Sequence, residues 1–348
     1  MRKLLLILAL TTWGLAALAA SLEPVDYVST LVGTQSSFQL STGNTYPAIA
    51  MPWGMNFWVP QTGKMGDGWQ YTYDAHKIRG VKQTHQPSPW INDYGQFSLM
   101  PTVGEPVWDE NERASWFSHK AETATPYYYK VYLADYDIIA EVAPTERAAI
   151  LRFTFPETDQ ANVVIDAFDK GSVVSIDPKR RAVYGYSTRN SGGVPEGFKN
   201  YFVIQFDKPF SSFSVVEDSI IRKGEKDIGC NHAGAIVTFN TRRGEQVNAR
   251  VASSFISRDQ ALVNLRELGS DDLETVKEKG RQRWNEVLGR ITVKEDDIDH
   301  LRTFYSCLYR SVLFPRSFYE IDANGNPVHY SPYNGQMLPG RLFTDTGF

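Results

Sequence analysis

The sequence predicts a mainly β protein. An antiparallel β-sandwich is expected over residues 22–256, then a helical linker over 257–290 and the start of a helical domain over 291–348. Three observations predict this. Short runs rich in β-branched and aromatic residues fill the chain from about Val25 to Ile256, with turn signals at short intervals and no helical period between them. The texture then changes abruptly at Ser257 to capped helical segments. Beyond residue 297, one long run carries a single apolar stripe at spacings of three and four.

The elements follow in order. Residues 1–20 read as a cleaved secretory signal: basic Arg2 and Lys3, the apolar run "LLLILALTTWGLAALAA", and small residues at Ala17, Ala19 and Ala20. Ser21 and Leu22 follow in place of a cysteine, so no lipid or membrane anchor is expected, and the destination is the periplasm or the cell exterior. Apolar content of 42% supports a large core, and a net charge of −4 gives no basic surplus for nucleic acid. Six of the eight Trp lie between Trp53 and Trp116. Such a cluster suits either stacking on sugar rings or a Trp-rich core.

The β texture comprises "YYYKVYLADYDIIAEV", "AAILRFTF", "ANVVIDAF", "AVYGYSTR", "YFVIQF", "FSSFSVV", "GAIVTFNT" and "VNARVASSFI". Turns such as "FPETDQ", "IDPKRR", "NSGG" and "TRRGEQ" separate them. Ser257 and Gln260 have capping-box spacing, and the helix they open stops at Gly269. A second helix begins at a Ser-Asp cap, places Leu273, Val276, Trp284, Val287 and Leu288 near one face, and stops at Gly289; Gly280 weakens its middle. A strand-like "RITV" follows. The third helix carries Ile298, Leu301, Tyr305, Leu308 and Val312 as its expected buried stripe and ends at Pro315. "FYEIDANGNPVHYS" reads as a hairpin around Asn324-Gly325.

Local chemistry is sparse. "DANGN" departs from a calcium loop, with its Gly at the fourth position and Tyr333 at the twelfth. The six His form no zinc pattern, and there is no phosphate loop or Gly-x-Ser-x-Gly elbow. Asp67, Asp74, Asp93 and Glu105 lie in or near the aromatic region, where two carboxylates facing a cleft would suit acid–base work. Cys230 and Cys307 are expected to be two separate small buried thiols. In "STGNTYPAIAMPWGMNFWVPQTGKMGDGW", Pro47 and Pro52 fix the path, and Gly54 leaves backbone open beside Trp53, which suits the floor of a sugar pocket.

These motifs carry a resemblance. "GNTYPAIAMPWGM", "GWQYTYDAHKIRGVKQTHQPSPWINDYGQFSLMP", "LYRSVLFPRSFYE" and the final "TDTGF" resemble glycoside hydrolase family 92, over the chain from about Val25 onward. The resemblance implies an exported, calcium-dependent, inverting exo-α-mannosidase, α-1,2 type favoured, that trims mannose from mannose-containing glycans. It also implies a β-sandwich of the galactose-mutarotase-like supersandwich type joined by helices to a C-terminal (α/α)6 barrel. In the family the general acid, the base and the calcium ligands lie in that barrel, so no catalytic or metal-binding residue carries over to this sequence. The resemblance does imply substrate-binding positions: Trp69 in "GDGWQYTY", a backbone contact at Gly54, and a pocket rim with His85 and Trp90. Trp53 departs from the Phe that is common at its position.

The expectation is therefore an N-terminal, carbohydrate-binding portion whose partner is its own C-terminal catalytic domain, inactive as an isolated chain. The third helix, short of helical neighbours, supports that expectation. The alternatives are a non-catalytic carbohydrate-binding module and a mutarotase-like epimerase, which would need a His–Glu pair inside the β-domain.

Overall fold

The structure, a computed structural model, describes residues 22–35, 45–66, 69–85, 93–190 and 192–344. The expected signal segment lies outside them. Among the described residues, two large antiparallel sheets face each other. One has seven strands, ordered Phe57–Gln61, Gly80–Thr84, Phe97–Val103, Thr158–Asp166, Ala233–Thr241, Ser212–Glu217 and Ile220–Lys223. The other has nine, ordered Asp227–Cys230, Ser172–Asp177, Ala182–Ser187, Asn200–Phe206, Glu245–Ser254, Ala148–Phe155, Ile138–Pro144, Tyr128–Leu133 and Glu122–Thr125.

The alternation in the sequence explains the layers. Tyr128–Leu133 buries Tyr129, Val131 and Leu133 and exposes Lys130 and Tyr132, which sends one side of the strand to the core and the other to water. Side chains from the facing sheets meet directly: Phe97 stacks on Phe202 at 4.6 Å, and Phe206 meets Phe239 at 5.4 Å. A fully buried ion pair sits at the end of strand Thr158–Asp166, on the face of the seven-stranded sheet opposite to Ile165. Arg113 donates to Asp166 at 2.6 Å, and the second carboxylate oxygen of Asp166 takes His232 Nε2 at 2.7 Å.

Three helices follow. α1 (Arg258–Leu265) is capped by the Ser257 hydroxyl, which accepts from Gln260 N at 3.0 Å, and its last turn closes on Gly269 at φ +49°. α2 (Leu273–Leu288) is capped by Asp272 and buries the whole expected apolar face. Gly280, a poor helix former, has its reason in packing. A Cβ there would sit 2.9 Å from Tyr127 Cβ, so glycine lets α2 lie close on the sandwich.

α3 (Ile298–Ser311) buries a face turned from the expected stripe but overlapping it at Tyr305, with Leu301, Leu308 and Val312 packed at its edge. Tyr305, Ser306 and Tyr309 are buried, Leu301, Leu308 and Val312 are half-buried, and Ile298 is exposed. Hydrogen bonding by polar-tipped residues overrides the aliphatic stripe. Tyr309 OH donates to Ala48 O at 2.6 Å, and the Ser306 hydroxyl accepts from Ser29 N at 2.9 Å. The helix thus seats on the N-terminal segment, with Trp284 of α2 5.2 Å from the Tyr309 ring.

Two smaller expectations are also corrected. "RITV" forms no strand, because Arg290 and Ile291 continue as turns off the end of α2. Both cysteines are free, but Cys307 is exposed on the outer face of α3 and Cys230 is half-buried. The hairpin around Asn324-Gly325 is present: Glu320–Ile321 pairs with Pro327–Tyr330, and Gly325 takes φ +86°.

The linker and hairpin are locked to the sandwich by two buried charges. Glu320 accepts from Phe255 N at 2.9 Å and from Asn264 Nδ2 at 2.7 Å; burial pushes its carboxyl above the usual range. Arg147 pairs with Glu267 at 2.6 Å and donates to Tyr319 O at 2.9 Å.

Candidate functional site

The turn Met51–Gly54 sits where the sandwich meets the segment after α3. Gly54 N donates to Met51 O at 2.9 Å, and a Cβ at Gly54 would stand 3.1 Å from that same oxygen. Trp53 adopts φ +53°, a costly conformation for a bulky residue. It is held there from both sides: its N–H donates to Val312 O, and its carbonyl accepts from Ser317 N, each at 2.9 Å. Gly54 is buried, and its amide is taken by this turn. The half-buried Trp53 ring lies 6.0 Å from the Arg290 guanidinium.

Trp69 is half-buried. The residue after it, Gln70, donates to Thr84 Oγ1 at 2.7 Å, and Thr84 Oγ1 donates to Asp93 at 2.9 Å. Asp93 ties the end of strand Gly80–Thr84 to His85 and Tyr94. It pairs with Lys82 at 3.4 Å and accepts from His85 N at 3.0 Å and Tyr94 N at 2.9 Å. These bonds consume the carboxylate internally. Asp74 and Glu105 are exposed, and Asp67 lies outside the described residues, so no facing carboxylate pair forms among the described acids of this region.

His85 lies behind the wall, 1% exposed. Its Nδ1 is 2.7 Å from Tyr94 O, which only accepts, so Nδ1 carries the proton. Nε2 faces the side-chain amides of Asn56 at 3.1 Å and Gln83 at 3.4 Å. Burial lowers the ring's pKa well below the usual value, and the nearby charges of Arg316 and Lys82 add to this, so the ring is neutral. The His85 carbonyl accepts from Arg316 Nη1 at 2.9 Å, and the other arm of that fully buried guanidinium reaches the Tyr94 hydroxyl. Sequence reasoning missed Arg316, although "FPRSFYE" was among the motifs. It joins the segment after α3 to the stretch that begins the site. Trp90, the remaining expected residue, lies outside the described residues.

This histidine makes a pH prediction. Folding holds His85 unprotonated, while the unfolded chain protonates near pH 6.5, so its contribution is complete above that pH and declines below it by up to about 1.4 kcal/mol per pH unit. Thermal unfolding from pH 7.5 to pH 5 is expected to show this fall. The His85→Gln variant, less stable at pH 7.5, is expected to show a shallower one.

The Trp-rich segment therefore divides between core and surface. Trp58 and Trp108 are buried, Trp53 and Trp69 are half-buried, and Trp116 is exposed. No group of three or more His, Cys, Asp or Glu side chains among the described residues lies close enough to share a metal ion. These described residues do not fit a calcium cage.

The β-sandwich thus passes through capped helices into the segment after α3, with the Trp53-Gly54 turn at the junction. The chain belongs to glycosyl hydrolase family 92: residues 27–254 match the family's N-terminal domain and residues 260–348 its catalytic domain. It is similar to a solved inverting mannosidase of this family from Bacteroides thetaiotaomicron, at 46% identity and TM-score 0.91, covering 94% of this chain and 44% of that one. A second family α-mannosidase from the same organism matches at 26% identity and TM-score 0.83, covering 94% of this chain and 46% of that one. An uncharacterised secreted glycosidase of Arthroderma benhamiae is 25% identical, over 85% of this chain and 42% of its own. The chain thus spans less than half the length of these relatives. Among the described residues no helix is long and apolar enough to cross a membrane.

Proposed function

We propose that this chain forms the saccharide-facing wall and the linker of a secreted, inverting exo-α-mannosidase acting on mannose-containing glycans. The observation that carries this is the clamp on the Trp53-Gly54 turn. Val312 and Ser317, within the stretch matching the catalytic domain, hold the turn, and Arg316 of the same stretch fixes the His85 carbonyl. Trp69 then supplies a flat apolar face for a mannose ring, Gly54 keeps the turn beneath the wall tight, and His85 braces the wall from behind. Trp90 belongs to the rim in this proposal. The similarity to an inverting mannosidase supports the reaction class. Calcium dependence, α-1,2 preference and export to the periplasm or cell exterior rest on the resemblance. The calcium ligands would come from outside the described residues.

In an inverting hydrolysis one acid protonates the leaving oxygen while a base activates water on the opposite face of the ring. Since no facing carboxylate pair forms among the described acids of the wall, the chain alone is proposed to be inactive. The protein as its native source produces it is expected to release β-mannose first from an aryl α-mannoside, read by proton NMR before mutarotation. It should also lose this activity on treatment with a calcium chelator. Release of α-mannose, or no hydrolysis at all, would sink the reading. The alternative, a non-catalytic carbohydrate-binding module, is favoured by the latter result if sugar binding persists.

A further inference from the structure

A second aromatic surface leads away from Trp69 along its own chain segment. Residues 73–77 run antiparallel to residues 115–119. Lys77 pairs with Trp116, Phe117 N donates to His76 O at 3.0 Å, and His119 Nε2 donates to Tyr73 O at 2.7 Å. Two stacked ring pairs stand on this ribbon. Tyr73 lies on His119 at 3.9 Å with planes 2° apart, and His76 lies beside Trp116 at 5.9 Å and 13°. Trp116 is 51% exposed and Tyr73 37%.

The backbone under these rings is fixed. Trp116 N donates to Asp135 Oδ2 at 3.0 Å, Trp116 O accepts from Ala134 N at 2.9 Å, and Tyr73 N donates to Thr34 O at 3.1 Å. The rings are therefore preorganised, and little order has to be imposed when a ligand docks. Their surroundings are polar: Asp74, His76 and Ser118 are exposed, and the Lys77 ammonium, 5.6 Å from the Trp116 ring centre, forms no ion pair among the described residues. Such a surface of exposed planar rings edged by hydrogen-bonding groups fits a sugar chain, which has apolar ring faces and a hydroxyl rim. It is a poor match for a protein interface, whose apolar core is broad. Tyr73 stands at most about 14 Å of chain from Trp69, since four residues extend no further.

We infer that Tyr73 and Trp116 form a secondary glycan-binding platform that holds a distal arm of a branched mannose-containing substrate while its terminal residue occupies the wall at Trp69. This rests on the proposed saccharide role of that wall.

Electrophoresis of the native-source protein through a gel containing branched α-mannan tests it. Wild type is expected to be retarded. Trp116→Ala is expected to need at least tenfold more mannan for equal retardation, and Trp116→Phe, which keeps a ring, to fall between. Hydrolysis of a small aryl α-mannoside, too short to reach the platform, is expected to keep its wild-type kcat/KM in both variants. Absence of retardation in wild type, or equal retardation of wild type and Trp116→Ala, would overturn the platform. Retardation lost in Trp116→Ala while no variant, and not wild type, cleaves the aryl mannoside would support the platform and reject the mannosidase reading.

Discussion

Replacing Asp166 by Ala is expected to destabilise the protein by about 3–5 kcal/mol, because it strands a buried cation. Arg113 and Asp166 are 1% and 2% exposed and 2.6 Å apart, and Asp166 also takes His232 Nε2 and Phe168 N. Removing the carboxylate leaves the guanidinium with the Trp108 carbonyl and ring as its near partners. Burial alone would raise the Asp166 carboxyl, but the charge of Arg113 and the bond from His232 outweigh it and hold the group far below the usual carboxylate range. The sign follows. A folded pKa below the unfolded value of about 3.9 gives stability that is present above pH 4 and lost as the pH falls further. Denaturant unfolding at pH 7 should show the loss in Asp166→Ala. Acid titration of wild type should show a steeper decline below pH 4 than that of the variant, which keeps only the contributions of other lowered carboxylates such as Glu141.

Replacing Trp284 by Ala is expected to cost about 3–5 kcal/mol and to reach the candidate site as well. Trp284 is fully buried in α2, with Tyr309 of α3 5.2 Å away. Its Nε1 donates to Ala50 O at 2.9 Å, and Ala50 directly precedes the Met51–Gly54 turn. The variant therefore opens a cavity and frees the carbonyl that leads into that turn. A fall in denaturation midpoint together with a raised KM for an α-mannoside is expected. A change in stability with KM untouched would show that the linker does not position the turn.

The sandwich was legible in the sequence because its strands alternate and its turns carry Gly, Pro, Asn and Asp. The order of strands was not, since pairings such as Val163 with Val237 join residues far apart in sequence. The helices were legible from their caps, but the buried face of α3 was not. Ser306 and Tyr309 win that face through bonds to Ser29 and Ala48, which no helical stripe encodes. The site divides in the same way. Gly54, Trp69, His85 and Trp90 are proposed from motif, whereas the full burial of His85 and the bracing by Arg316 depend on a contact across 231 positions. The Trp cluster had two readings, and the structure buries Trp58 and Trp108 in the core while leaving Trp53 and Trp69 half-buried and Trp116 exposed.

The central claim is that the N-terminal sandwich supplies a mannose-contacting wall through Trp69. The most direct measurement is kcat/KM for an aryl α-mannoside, comparing wild type with Trp69→Ala in the native-length protein, with thermal unfolding as a control for folding. A fall of about tenfold or more at an unchanged melting temperature, equal to about 1.4 kcal/mol or more of transition-state stabilisation, is predicted. An unchanged kcat/KM in a folded Trp69→Ala protein would contradict the account.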